Sequence, residues 1–348
     1  MGGFMALEGA GSEECRIVDK GGVVKWRDEG GGGGDGGRPE VSRGDLMGLL
    51  MGNVPPEQIQ WGYKLVSVSR EEQNAGRYRL VFSVEGAGEV QEFADVVVGA
   101  DGAWSRTRSF LTDAKPRFST VSCVTLTIPS ISENHPGLVD MIGGGSFYAC
   151  EGGKAVIAQR GSLDSARMYL MLSSPSESYL KTSGLEAAAK NPESLKSLLL
   201  ENADLFASWG EGIKGLISTA CGGNQGGGEI TAKPLFMLPV GFRWEQREGV
   251  TLIGDAAHLM TPFAGEGVNC GMRDAVELAE AILEGLRNGG GVQEVDEGIK
   301  NFERGMWERM VGIQQETWDN LAAIFGNDAP GAFVKIMESH GPPPEDTE

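Results

Sequence analysis

The stretch LIGDAAHLMTPFAGEGVNCGMRDA runs from Leu252 to Ala275. An apolar run ends in Gly254-Asp255, a histidine follows at 258, and glycines at 265, 267 and 271 bracket the start of a helical pattern. The pattern predicts a strand buried on both faces, a carboxylate at its carboxyl end, and a loop with few side chains. Ligands of open parallel sheets gather beyond the carboxyl ends of the strands, where helix N-termini point inward. Asp255 there can accept from the hydroxyls of a polyol or sugar. Gly265 and Gly267 have no Cβ, so their backbone N–H groups can touch a flat ring. A helix opening near Val268 adds its positive end, worth ~0.3–1 kcal/mol toward a nearby negative charge. Such a place suits an aromatic ring system that becomes anionic on reduction. GEGVNCG (265–271) has the wrong spacing for a dinucleotide G-x-G-x-x-G.

The same grammar occurs earlier. ADVVVGADGAWSRTRS is a continuous apolar run closing in a Gly-Asp-Gly turn, with Asp101 and Gly102 at its end. It too predicts a strand buried on both faces. Further upstream, CRIVDKGGVVKW predicts two strands joined by a Gly-Gly turn. VSRGDLMGLL predicts a helix that Ser42 caps, with Arg43 in its first turn. IQWGYKLVSVSR, GRYRLVFSV and EVQEF alternate as a small antiparallel meander. From Pro116 to Pro239, strand patterns such as FSTVSCVTLTI, KAVIAQRG and ARMYLML precede helical ones near 176–219. That mixture predicts an inserted α+β domain. A long helix is expected from about Gly267 to Leu286, and Ile299, Phe302, Met306, Met310 and Ile313 mark an amphipathic tail helix packed on the body.

Thirty Lys+Arg against forty-nine Asp+Glu leave a net charge of −19. That excess repels phosphate backbones and anionic lipid, so neither nucleic acid nor membrane is an expected partner. No apolar run approaches the ~20 residues of a membrane span, and the N-terminus lacks a secretory pattern, so a cytoplasmic location is expected; the chain is also expected to be a monomer. Cys15, Cys123, Cys150, Cys221 and Cys270 are scattered, which predicts buried thiols rather than a disulfide framework. No metal site is expected from three histidines without ligand spacing. Glycine, at 54 of 348 residues, is enriched partly by the run EGGGGGDGGRP at 29–39, expected as a solvated loop, and otherwise at the motifs.

Taken in order, ADVVVGADGAWSRTR, LIGDAAHLMTPFAGEGVNCGMRDAVELAEAI and RPEVSRGDLMGLL resemble the Asp-Gly motif, the Gly-Asp motif and the arginine-bearing segment of the FAD-dependent aromatic-hydroxylase class of monooxygenases. Within that class, GDAAHLMTPFAGEGVN and PEVSRGDL are most similar to the tetracycline-inactivating flavin monooxygenases. The resemblance covers residues 5 to 320 and is diffuse between about 120 and 240. It implies an α/β fold: an FAD/NAD(P)-binding Rossmann-like domain over 1–115 and 248–290, a substrate domain over 116–247, and a C-terminal helix and tail over 291–348. It implies FAD as cofactor and NAD(P)H and O₂ as co-substrates. The flavin C4a-hydroperoxide would then hydroxylate a small aromatic or polyketide-like substrate, as in secondary metabolism.

The resemblance also implies residue roles. Asp255, with Gly254 before it, would bind the ribityl hydroxyls, and Arg43 would contact the FAD phosphate or ribityl region. Gly265, Gly267, Val268 and Asn269 would meet the pyrimidine end of the isoalloxazine. Asp101 and Gly102 would serve near the pyrophosphate. Pro262 would lie at the flavin, and Phe263 would face the substrate. His258 is expected to be satisfied by nearby backbone rather than to act in catalysis.

The chain departs from the family in lacking an opening strand and G-x-G-x-x-G turn; GAGSEE (9–14) has no third glycine. The expectation is therefore a truncated flavin domain whose first βαβ unit is missing and which holds FAD weakly. YACEGGKAVIAQRG lacks a match to the polar substrate contacts of the tetracycline enzymes, so tetracycline is not the expected substrate. The rival reading is a catalytically silent flavin-fold fragment acting as a binding module. A halogenase is disfavoured because the seven tryptophans are dispersed.

Overall fold

The computed structural model describes residues 14–30, 41–71, 76–161, 163–222, 230–287 and 291–339. The glycine-rich run from 31 onward, and GAGSEE up to Glu13, lie outside them. The strands in chain order are β1 (Cys15–Val18), β2 (Val24–Asp28), β3 (Tyr63–Arg70), β4 (Tyr78–Val84), β5 (Gly88–Ala94) and β6 (Val97–Gly99). They continue with β7 (Arg117–Ile128), β8 (Ser146–Glu151), β9 (Lys154–Gly161), β10 (Ser165–Ser173), β11 (Thr231–Met237) and β12 (Val250–Leu252). Four helices matter below: α1 (Arg43–Met51), α2 (Arg106–Leu111), α3 (Gly267–Arg287) and α4 (Val292–Phe325). The architecture is α/β.

The chain divides into two compact units, the first comprising Met1–Pro55, Thr120–Leu235 and Asn320–Glu348, the second Pro56–Ser119 and Phe236–Asp319. The first is built on a seven-stranded sheet of order β11-β7-β10-β9-β8-β1-β2. β1 pairs antiparallel with β2 and parallel with β8, so the Gly-Gly turn makes a hairpin as expected. The helices Pro192–Glu201 and Glu211–Gly222 pack on this core through Leu195 and Leu199, and through Ile213, Leu216, Ile217, Ala220 and Cys221. Those spacings put each set on one helical face. Asn191 starts the first of these helices by accepting from the Ser194 N–H at 3.0 Å. Ser42 does the same for α1, accepting from Asp45 N–H at 3.1 Å.

The second unit contains the expected meander β3-β4-β5 and a separate parallel pair, β6 with β12. β12 is buried throughout, as its apolar run predicts. β6 is not: Val98 is 39% exposed. The expectation of burial on both faces fails there: Val97 and Gly99 lie on the covered face, and Val98, pointing to the opposite one, is left partly open. Gly99 sits where no side chain fits, since a Cβ would lie 2.6 Å from both Leu252 Cδ2 and Thr107 Cβ. α3 spans 267–287, close to its expected bounds. α4 buries Ile299, Phe302, Met306 and Met310, with Ile313 partly buried, so the tail helix packs as its spacing requires. α3 and α4 cross backbone to backbone: a Cβ on Gly285 would lie 2.7 Å from Val295 Cα, and one on Gly298 2.7 Å from Ala281 O.

Candidate functional site

The parallel pair brings two Gly-Asp turns side by side. Val97, Val98 and Gly99 pair with Val250, Thr251 and Leu252, and the Ile253 N–H donates to Gly99 O at 3.0 Å. Both chains then leave the ladder at the same end, Asp101 two residues beyond Gly99 and Asp255 three beyond Leu252. Gly254 turns with φ 58° and ψ −142°, a conformation that disfavours any Cβ. Gly102 likewise has φ 75°.

The two carboxylates have different fates. Asp101 folds back onto the start of α2, accepting from Arg106 N–H at 2.7 Å, Thr107 N–H at 3.1 Å and Ser105 Oγ at 2.5 Å. Its oxygens satisfy donors that a helix start otherwise leaves bare. Asp255 opens the short helix Asp255–His258, is exposed, and its carboxylate has no hydrogen-bond partner among the described residues.

Arg108 ties the turns together. It is 2% exposed, and its Nη1 donates to Ala256 O at 2.9 Å and Asp255 O at 3.4 Å. Its Nη2 donates to Ala103 O. Burial lowers the Arg108 pKa, and the charge of Asp101 opposes that shift.

His258 departs from its expected backbone partner. Its Nε2 meets Asp274 Oδ2 at 2.5 Å, and the same oxygen accepts the Gly254 N–H at 3.0 Å. The carboxylate wins because α3 carries Asp274 on its buried face, between Cys270 and Leu278. The other oxygen of Asp274 accepts from Arg309 Nη2 at 2.7 Å, and Arg309 Nη1 donates to Glu277 at 2.7 Å. Burial pushes the Asp274 pKa up, but His258, the Gly254 N–H and Arg309 together bring it below the usual carboxylate range.

Pro262 and Phe263 lie on a 3₁₀ turn, Pro262–Ala264, that Gly265 closes with φ 75°. Pro262 is exposed and Phe263 half-buried. α3 starts two residues later at Gly267, with Val268 and Asn269 exposed and the Asn269 amide donating to Glu266 at 3.3 Å. A Cβ built on Gly265 or Gly267 would meet no atom within 4 Å, so the backbone there faces open space. Arg43 belongs to the first unit, as the exposed first residue of α1.

An exposed, uncommitted carboxylate at a strand end and a side-chain-free helix start beside open space match what a sugar-alcohol chain and a flat ring would need. In this respect the residues fit FAD. Arg108, Asp274 and Arg309 escape the sequence reading. The one local signal is a charged residue at 274 on the apolar face of α3.

A family model described as "FAD binding domain" matches residues 240–297. "Monooxygenase penA" of Penicillium thymicola is 33% identical over 363 residues, covering 97% of this chain and 83% of that protein. Among solved structures, Klebsiella pneumoniae HpxO complexed with FAD and uric acid is similar with a TM-score of 0.72 at 18% identity, covering 98% of this chain and 78% of that one. The tetracycline destructase Tet(51) is similar with a TM-score of 0.62 at 16% identity, covering 97% and 79%. At those identities the structural likenesses speak for the fold.

Proposed function

Because this chain belongs to the FAD-dependent monooxygenases of the aromatic-hydroxylase type, we propose that it holds FAD at the Gly254–Asp255 turn and the start of α3 and hydroxylates a small aromatic or polyketide-like molecule. The balanced reaction takes substrate C–H, O₂, NAD(P)H and a proton to substrate C–OH, NAD(P)⁺ and water. When bound, FAD supplies the electron storage and oxygen activation that no protein side chain offers. In this reading Asp255 accepts from the ribityl hydroxyls. Gly265, Gly267, Val268 and Asn269 border the pyrimidine ring, and the positive end of α3 favours negative charge on it. Gly102 leaves room for the pyrophosphate, while Asp101 acts indirectly, by holding the turn that carries it. Pro262 and Phe263 border the ring and the substrate. Arg43 contacts the FAD phosphate or ribityl region, and R43A is its test.

The observation that carries the reading is the contrast between the two aspartates: Asp101 is consumed by its own helix, whereas Asp255 at the neighbouring strand end is exposed with no carboxylate partner among the described residues. The test is titration of the purified chain with FAD, read by quenching of flavin fluorescence, followed by NAD(P)H oxidation in air with candidate phenols and polyketides. Saturable FAD binding that D255A weakens by about tenfold or more, equivalent to ~1.4 kcal/mol, is the expected result. A D255A protein that binds FAD as the wild type does would sink the assignment. FAD binding without substrate-dependent NAD(P)H oxidation would favour a silent binding module instead.

A further inference from the structure

Resting on that flavin reading, we propose that Asp274 is a positioning residue that clips the Gly254–His258 turn at both ends, so that Asp255 is presented to the ribityl chain, with Arg309 on α4 as its strut. Asp274 is fully buried, yet one of its oxygens takes two donors from opposite ends of a five-residue turn: the Gly254 N–H at 3.0 Å and His258 Nε2 at 2.5 Å. Asp255 lies between those two anchors. Its carbonyl side is held from the other direction by Arg108, which bonds Ala256 O at 2.9 Å. The turn is thus gripped on two sides, and the carboxylate of Asp255 stands exposed between those grips.

The second oxygen of Asp274 starts a line of alternating charge. Arg309 Nη2 lies at 2.7 Å, Glu277 accepts Arg309 Nη1 at 2.7 Å, and Arg273 Nε reaches Glu277 at 2.6 Å. Apolar replacement of a buried ion pair is often neutral or stabilising, so such pairs are weak devices for stability. This one spends a whole oxygen on a backbone N–H and an imidazole of one turn, which is a device for geometry. The alternative, that it merely holds α3 to α4, is already served by the backbone crossing at Gly285 and Gly298. His258 fits the same role: its Nε2 is committed to Asp274 and its Nδ1 is buried, with no partner among the described residues, so it offers no hydrogen to solvent.

The experiment is a double-mutant cycle on FAD affinity with D274N, D255A and D274N/D255A, paired with hydrogen exchange of the cofactor-free proteins over 254–258. If Asp274 acts through Asp255, D274N weakens FAD by about tenfold in the wild-type background and by less than about twofold in the D255A background. Equal losses in both backgrounds overturn the positioning role. In the exchange arm, D274N speeds exchange at 254–258 by about tenfold while the β3–β5 meander keeps its protection. Unchanged exchange at 254–258 overturns the clip. R309M takes the place of D274N in both arms should D274N not fold, and R309K is expected to restore part of the loss. The exchange arm needs no FAD, so a wild type that binds none would refute the flavin reading and leave the clip itself still decided.

Discussion

Arg108 donates to the carbonyl of Ala256, 148 residues further along the chain, at 2.9 Å. With its bond to Ala103 O, this one guanidinium closes the turn after β6 onto the turn after β12. Buried carbonyls stripped of such a donor cost about 1–3 kcal/mol each. R108M is expected to lower unfolding free energy by about 2–4 kcal/mol and to abolish FAD retention. R108K should recover little of either, because an ammonium cannot span the carbonyls a planar fork reaches. Urea melts and a desalting column followed by a visible spectrum check both.

Asp101 is expected to matter through its helix. D101A removes the acceptor of Arg106 and Thr107 N–H and should cost about 1–2 kcal/mol. D101N, which keeps an acceptor, should cost less than half of that. A D101A protein of unchanged melting temperature would refute the capping role.

Glu303 is 1% exposed and accepts from Trp244 Nε1 at 3.0 Å and Thr251 Oγ1 at 2.8 Å. Burial raises its pKa above 4.5, outweighing those hydrogen bonds. The fold therefore favours the protonated form. The stability this contributes is full below the unfolded-state value and is lost as pH rises through the folded-state value. E303Q, which cannot ionise, should gain on the wild type as pH rises from about 4 toward 8 in thermal melts. A constant difference across that range would refute the assignment.

Burial pushes the thiol of Cys123 up to about 11 and those of Cys150 and Cys221 up to about 12. Cys270 is also buried and raised, by burial first. Because the thiolate is the reacting species, a disulfide reagent at about pH 8 should label the folded protein at Cys15 alone. Labelling at the other four is expected only with urea. Rapid native labelling at Cys150 would contradict the packing of the sheet.

The large elements were legible because each carries its own period: Ile299, Phe302, Met306 and Met310 announce α4, and the alternation in β3 and β4 announces a meander. The difference between Asp101 and Asp255 was not legible, since both follow an apolar strand and a Gly or Gly-Ala step. What separates them is Ser105, which starts α2 close enough for Asp101 to fold onto it. Asp255 heads a helix of its own, and among the described residues no group donates to its carboxylate. Glu303, Asp274 and Arg309 find partners far along the chain, and one-dimensional patterns carry no such distances. Val98 was misread because an apolar run states that a side chain could be covered, not that something covers it.

The crossing of α3 over α4 has a consequence for engineering. With Gly285 against Val295 and Gly298 against Ala281, the peptide planes themselves hold the pair. Lengthening a connection costs only about 0.6 kcal/mol per doubling. A change in the length of that connection is therefore mild beside a single methyl group at 285 or 298, which would force the two rods apart.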